Sequence, residues 1–180
     1  AAAFASQQLR DTAGAHAFWR QLDALVPASD AAARRQSAWL GAELALAAGQ
    51  PQQALDLVER HPAPQLRPAV LLHAQAQLAL QRPALASERL QTWVTTHPQD
   101  AQAWQWLAQA WQAQNQPLRA LRAQAEAQVA IRDFSAAQDR LKAAQDLARR
   151  GGNQDHIEAS IIDTRLRAVT ELLREEARKQ

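Results

Sequence analysis

The sequence predicts an all-α fold: an α-solenoid, or superhelix of antiparallel helix hairpins, with non-repeat helices at both ends. Three observations lead there. Ala alone supplies 43 of the 180 residues, and with Leu, Gln, Arg and Glu it fills the chain with strong helix formers. Val and Ile together number only ten and Gly five, too few for a sandwich, a barrel or a parallel sheet. Breaks of one chemistry recur: Gly49-Gln50-Pro51, Gln81-Arg82-Pro83 and Asn115-Gln116-Pro117 each close a helical pattern and set Pro where the next begins. Pro starts a helix at little cost because the N–H it lacks would have no partner in the first turn.

Taken in order, the chain opens with a helix at Ala1–Arg10. After a break at Thr12-Ala13-Gly14 comes a second at Ala15–Leu25, with Phe18, Leu22, Leu25 and Val26 on one side. Pro27 to Asp30, His61-Pro62-Ala63-Pro64, His97-Pro98-Gln99-Asp100 and Gly151-Gly152 supply the remaining breaks. Cutting at all of these gives about ten helices on short connections. The expected domains are residues 1–30, non-repeat helices or a linker; 31–150, the repeats; and 151–180, a closing helix. That closing helix starts at Asp155, has Glu158 as a weak capping box, and carries Ile162, Leu166, Val169 and Leu173 at helical spacing. It either covers the open end of the array or takes a coiled-coil partner.

A repeat lies inside the punctuation. The small residues Ala54, Ala86, Ala120 and Ala137 follow one another at 32, 34 and 17 residues. A period near 34 marks a helical hairpin, and the half-period step shares one helix, roughly 118–131, between two registers. The clearest copy begins at Ala101 and reads Trp104, Leu107, Ala108, Trp111, then Ala120, which is the tetratricopeptide (TPR) pattern. Its first four residues share one helical face, and Ala108 opposite Ala120 lets two axes approach to about 8–10 Å. Trp93, Trp104, Trp111 and Phe134 are expected in the core. Trp39 and Trp106 fall off the packing face, as exposed aromatic contacts or as cover for a neighbouring non-repeat helix.

Chemistry-bearing constellations are missing. Without Cys there is no disulfide or thiolate site, and none of His16, His61, His73, His97 and His156 stands in an H-E-x-x-H arrangement. No Gly-rich phosphate loop or G-x-S-x-G elbow occurs, so the chain is expected to carry no catalytic residue, metal site or cofactor. No apolar run approaches the ~18 residues of a transmembrane segment. The 18 Arg are spread along nearly every helix rather than gathered on one face, and the net charge is only +2, which argues against a nucleic-acid partner. With no Met at all, the chain is expected to be a piece of a longer protein. Binding remains, through a groove lined by Gln75, Gln105, Gln109, Gln112, Arg119, Arg122 and Glu126. Amides in a stripe can bond extended backbone, though a plain solvated face would look the same. Arg119 and Arg122 would suit a free-standing scaffold or co-chaperone that takes acidic peptide tails, with Arg122 open to the groove.

Residues 103–110 (Ala-Trp-Gln-Trp-Leu-Ala-Gln-Ala), Arg122–Glu126 and Asp133–Ala137, followed by Ala159-Ser160-Ile161-Ile162-Asp163-Thr164-Arg165-Leu166-Arg167, carry a family resemblance. Over about residues 35–175 the chain resembles the C-terminal TPR domain of BepA-like periplasmic zinc metalloproteases. The resemblance implies packing on an upstream H-E-x-x-H protease domain, which alone would hold zinc. It further implies a periplasmic location and engagement of the outer-membrane β-barrel assembly machinery or of unfolded outer-membrane proteins.

Overall fold

The computed structural model describes residues 11–150 and 155–179, and every regular element among them is an α-helix. They are α1 (Thr12–Leu25), α2 (Ala31–Ala47), α3 (Pro51–Arg60), α4 (Arg67–Ala79), α5 (Pro83–Thr96), α6 (Ala101–Ala113), α7 (Pro117–Ala130), α8 (Phe134–Arg150) and α9 (His156–Ala177). The chain divides into two compact units, Ala1–Arg82 and Pro83–Gln180. The region expected as repeats, 31–150, therefore spans the division; α1 belongs with the first unit and α9 with the second. The helix expected at Ala1–Arg10 and the break at Gly151-Gly152 lie outside the described residues.

Helix boundaries follow two recipes. Asp11, Asp30, Asp100 and Asp155 cap α1, α2, α6 and α9, each side chain accepting a hydrogen bond from a first-turn N–H. The N-cap read at Asp155 is in place, with Glu158 N–H donating to Asp155 Oδ1 at 3.0 Å, but the Glu158 carboxylate turns to Arg122 and Arg119 rather than back to Asp155, so the capping box expected there is only half formed. At the front, the break expected at Thr12-Ala13-Gly14 is instead the first turn of α1, because Asp11 accepts from the Gly14 N–H at 2.8 Å. Tight turns are the second recipe. Gly49, Gln81, Asn115 and Arg132 all adopt positive φ, 32, 34 and 17 residues apart. After each, the next N–H reaches back to a carbonyl in the preceding helix: Gln50 to Ala45, Arg82 to Gln77, Gln116 to Trp111 and Asp133 to Gln128. That is the Schellman closure, which satisfies carbonyls a helix end leaves unpaired.

In the first unit α1 packs on α2, α2 on α3 and α4, and α3 on α4. Ala42, Ala45, Ala54, Ala69 and Ala76 are wholly buried among Leu55, Leu57, Val58 and Leu72. Methyl-sized side chains let these helices approach closely, while Leu and Val supply most of the apolar area. Trp19 joins α1 to α2: its indole N–H donates to the Ser37 carbonyl at 2.8 Å, and Ser37 Oγ donates to Asp23 at 2.7 Å. Phe18, Leu22 and Leu25 share a side of α1 as their spacing predicts, but that side is exposed and Ala15 and Trp19 make the packing face.

In the second unit each of α5 to α9 packs on the next, and α9 also touches α7. Ala125, Phe134, Ala137, Leu141, Ala144, Ile162 and Val169 form the α7–α8–α9 core. Ala120, Ala123 and Ala127 are buried on a different stripe of α7, so this helix is covered on two sides. That is the packing a helix needs when it serves two successive hairpins. Buried Trp93 donates its indole N–H to Asp100 Oδ2 at 2.9 Å while Asp100 caps α6, pinning the α5–α6 connection.

Candidate functional site

The expected binding residues separate into three environments. Helix α6 buries two stripes, Ala103–Leu107–Ala110 and Ala108–Trp111, and turns Gln105, Gln109 and Gln112 to water. These three amides make no hydrogen bond among the described residues. Trp106 is half-buried beside them rather than exposed. From Ala101 to Leu118 no residue carries a charge, in a chain that is 21% charged. Trp111, Trp93 and Phe134 are core residues as expected, whereas Trp104 is half-buried. Its indole N–H donates to the Pro98 carbonyl at 2.9 Å, so the ring braces the α5–α6 connection.

Gln75 is half-buried on α4 of the first unit. Trp39, expected as an exposed contact, is half-buried and packs on the α2–α3–α4 core. The Arg35 guanidinium stands 5.6 Å from its ring centroid. Trp39 thus covers the core of its own helix group rather than a neighbouring non-repeat helix, since a Trp spread over a core built from Ala fills volume that the small side chains leave.

Arg119, Arg122 and Glu126 lie along α7 on the side that α9 approaches. Arg122 donates to Glu158, a carboxylate 4% exposed, and Arg119 stands 3.8 Å from the same group. Arg119 is also 5.1 Å from the Trp111 ring centroid. One turn along, Arg165 binds Glu126 with two parallel bonds of 2.6 and 2.8 Å. The order of these pairs makes α9 run in the same direction as α7. Arg122 and Glu126 are therefore committed to holding α9, and an expectation that Arg122 stands open to a ligand is not met, because closing helix α9 covers it.

His97 stacks on Trp93 at 3.7 Å between ring centroids, and His73 lies 3.4 Å from the Gln77 amide. Among the described residues no cluster of His, Cys, Asp or Glu is of a size to hold a metal ion, and no helix is long and apolar enough to cross a membrane. No protein-family model and no curated protein matches the chain.

Proposed function

We propose that the chain is a TPR-like helical-repeat domain that binds other proteins. In this reading it is the partner- and substrate-engaging domain of a BepA-like periplasmic zinc metalloprotease, packed on a protease domain that alone holds zinc. It engages unfolded outer-membrane proteins and the β-barrel assembly machinery. The repeat part of the reading is supported by positive-φ turns at Gly49, Gln81, Asn115 and Arg132, whose spacing follows the small-residue period, and by the doubly covered α7. The binding part rests on one observation above the others: the exposed, charge-free amide face of α6. The family part rests on the resemblance of Trp104–Ala130, Asp133–Ala144 and α9.

The rival reading, a free-standing scaffold for acidic tails, loses support because Arg122 already has a buried carboxylate. A photo-crosslinking residue at position 109 of the intact chain separates the two. Crosslinks to purified barrel-assembly components or to a urea-unfolded outer-membrane β-barrel protein are expected. Crosslinks only to an acidic C-terminal peptide, lost in high salt, would reverse the choice.

A further inference from the structure

A helix that only covers the end of a repeat array presents a polar outer face to water. Neither α1 nor α9 does so. Phe18, Leu22 and Leu25 on α1 are 44%, 46% and 80% exposed, and Ile157 and Ile161 on α9 are 77% and 42% exposed. At about 100° per residue the three α1 side chains fall within an arc of about 60°, and so do Ile157, Ile161, Thr164 and Ala168, all of them exposed. Arg20 is the one charged residue among the exposed positions of α1, and it lies about 160° round the helix from Phe18.

The two rows fit each other. Helices joined by short connections pack antiparallel, and each of α5 to α9 packs on the next. Laying α1 of a second copy antiparallel on α9 continues that succession. With Leu22 set on Ile161, a rise of about 1.5 Å per residue brings Leu25 to within about 1.5 Å of Ile157 along the axis, and Phe18 falls between Thr164 and Ala168. A large ring over two small side chains is the volume match that close packing asks for. Toward the other end Asp11 comes level with the Glu171–Arg174 pair, whose charges offset each other, so the contact is apolar in character. A contact of α1 with its own counterpart would leave the α9 row bare.

We infer that the chain associates head to tail with copies of itself, the Phe18–Leu22–Leu25 row of one copy seated on the Ile157–Ile161 row of the next. The two surfaces differ, so the contact is heterologous and each added copy offers a fresh row. Two helices meeting over about three turns bury on the order of 1,000 Å², the lower limit for a specific interface. Association is therefore weak and grows with concentration.

The test is sedimentation of the intact chain from about 1 to 300 µM, where species larger than a dimer are expected to build up. Leu22→Glu and Ile161→Glu should each weaken association roughly tenfold or more, because a carboxylate is then buried without a partner. Mixed together, the two variants should form a dimer and nothing larger, since each keeps the row that the other has lost. Circular dichroism checks that both fold. A second readout does not depend on the Glu variants: the chain has no Cys, so Leu22→Cys and Ile161→Cys each introduce a single thiol. In a glutathione buffer the mixture should form a disulfide-linked pair, and neither variant alone should do so. A monomer at every concentration, with no mixed disulfide, would overturn the inference and leave both rows to other occupants. A dimer that Leu22→Glu abolishes and Ile161→Glu leaves intact would also overturn it, assigning α1 to its own counterpart.

Discussion

The indole of Trp19 lies directly on Gly41. A Cβ at position 41 would stand under 3.0 Å from Cε2, Cζ2 and Nε1 of that ring. The ring cannot step aside freely, because its N–H is bonded to the Ser37 carbonyl one turn away. Gly41→Ala is therefore expected to destabilise the protein by about 1–3 kcal/mol through overpacking, despite Ala being the better helix former. Combined with Trp19→Ala the sign should reverse, the same change then gaining up to about 1 kcal/mol of helix propensity. Chemical denaturation of the two single variants and the pair checks this, and additive losses would refute the contact.

The recurring turns allow a graded prediction. Gly49 has open space around its missing Cβ, yet its φ of +71° makes Gly49→Ala unfavourable by about 1 kcal/mol. Conversely Gln81 holds φ of +58° with a side chain attached, so Gln81→Gly should stabilise by about 0.5–1 kcal/mol. Asn115→Gly should gain less, because Asn tolerates the left-handed region better than Gln. Thermal melts that rank Gln81→Gly at or below wild type would contradict the assignment.

Much of this architecture was legible in local chemistry. Pro51, Pro83 and Pro117 mark helix starts, and the 17-residue step to Ala137 singles out α7, the helix that is covered on two sides. The Trp19–Gly41 contact also left a signal, since an isolated Gly inside a helical pattern often marks a close approach. The uncharged stretch from Ala101 to Leu118 could be found by counting charges helix by helix. What could not be read was the direction in which α7 faces its partners. Arg122 and Glu158 are 36 residues apart, and their meeting depends on where α9 lands, which no periodicity in either helix specifies. Trp39 was ambiguous for a similar reason, because an off-register Trp looks the same whether it covers a core or meets a ligand.

Glu43 gives a pH prediction. Partial desolvation of its side chain on α2 pushes its carboxyl above the ordinary 4.5, although the residue stays largely exposed. An acid whose pKa is raised by folding favours the folded state most below the unfolded value, and that contribution is lost as pH rises through the folded value. At neutral pH the ionised Glu43 is thus a small burden, moderated because its side chain keeps contact with water. Glu43→Gln is expected to raise Tm slightly at pH 7 and to leave it unchanged near the acid end of the transition. Equal effects at both pH values would show that the gain, if any, comes from packing.

The ion pairs between α7 and α9 make the sharpest demand on the fold. Glu158 is 4% exposed, so its charge is tolerable only while Arg122 and Arg119 face it. Arg122→Ala leaves Arg119 at 3.8 Å as partial compensation and should destabilise by roughly 1–3 kcal/mol. Arg122→Glu should be worse, since it sets two carboxylates together where one is buried. Glu158→Gln keeps the shape and removes the charge, and it should partly rescue Arg122→Ala because no bare carboxylate is then left behind. Arg165 and Glu126, more open to water, should show a smaller coupling that weakens with salt. A double-mutant cycle on Arg122 and Glu158 followed by urea denaturation measures the first coupling directly. If Arg122→Glu left stability untouched, α9 would not be seated on α7 as described, and Arg122 would return to the open surface where an acidic ligand could reach it.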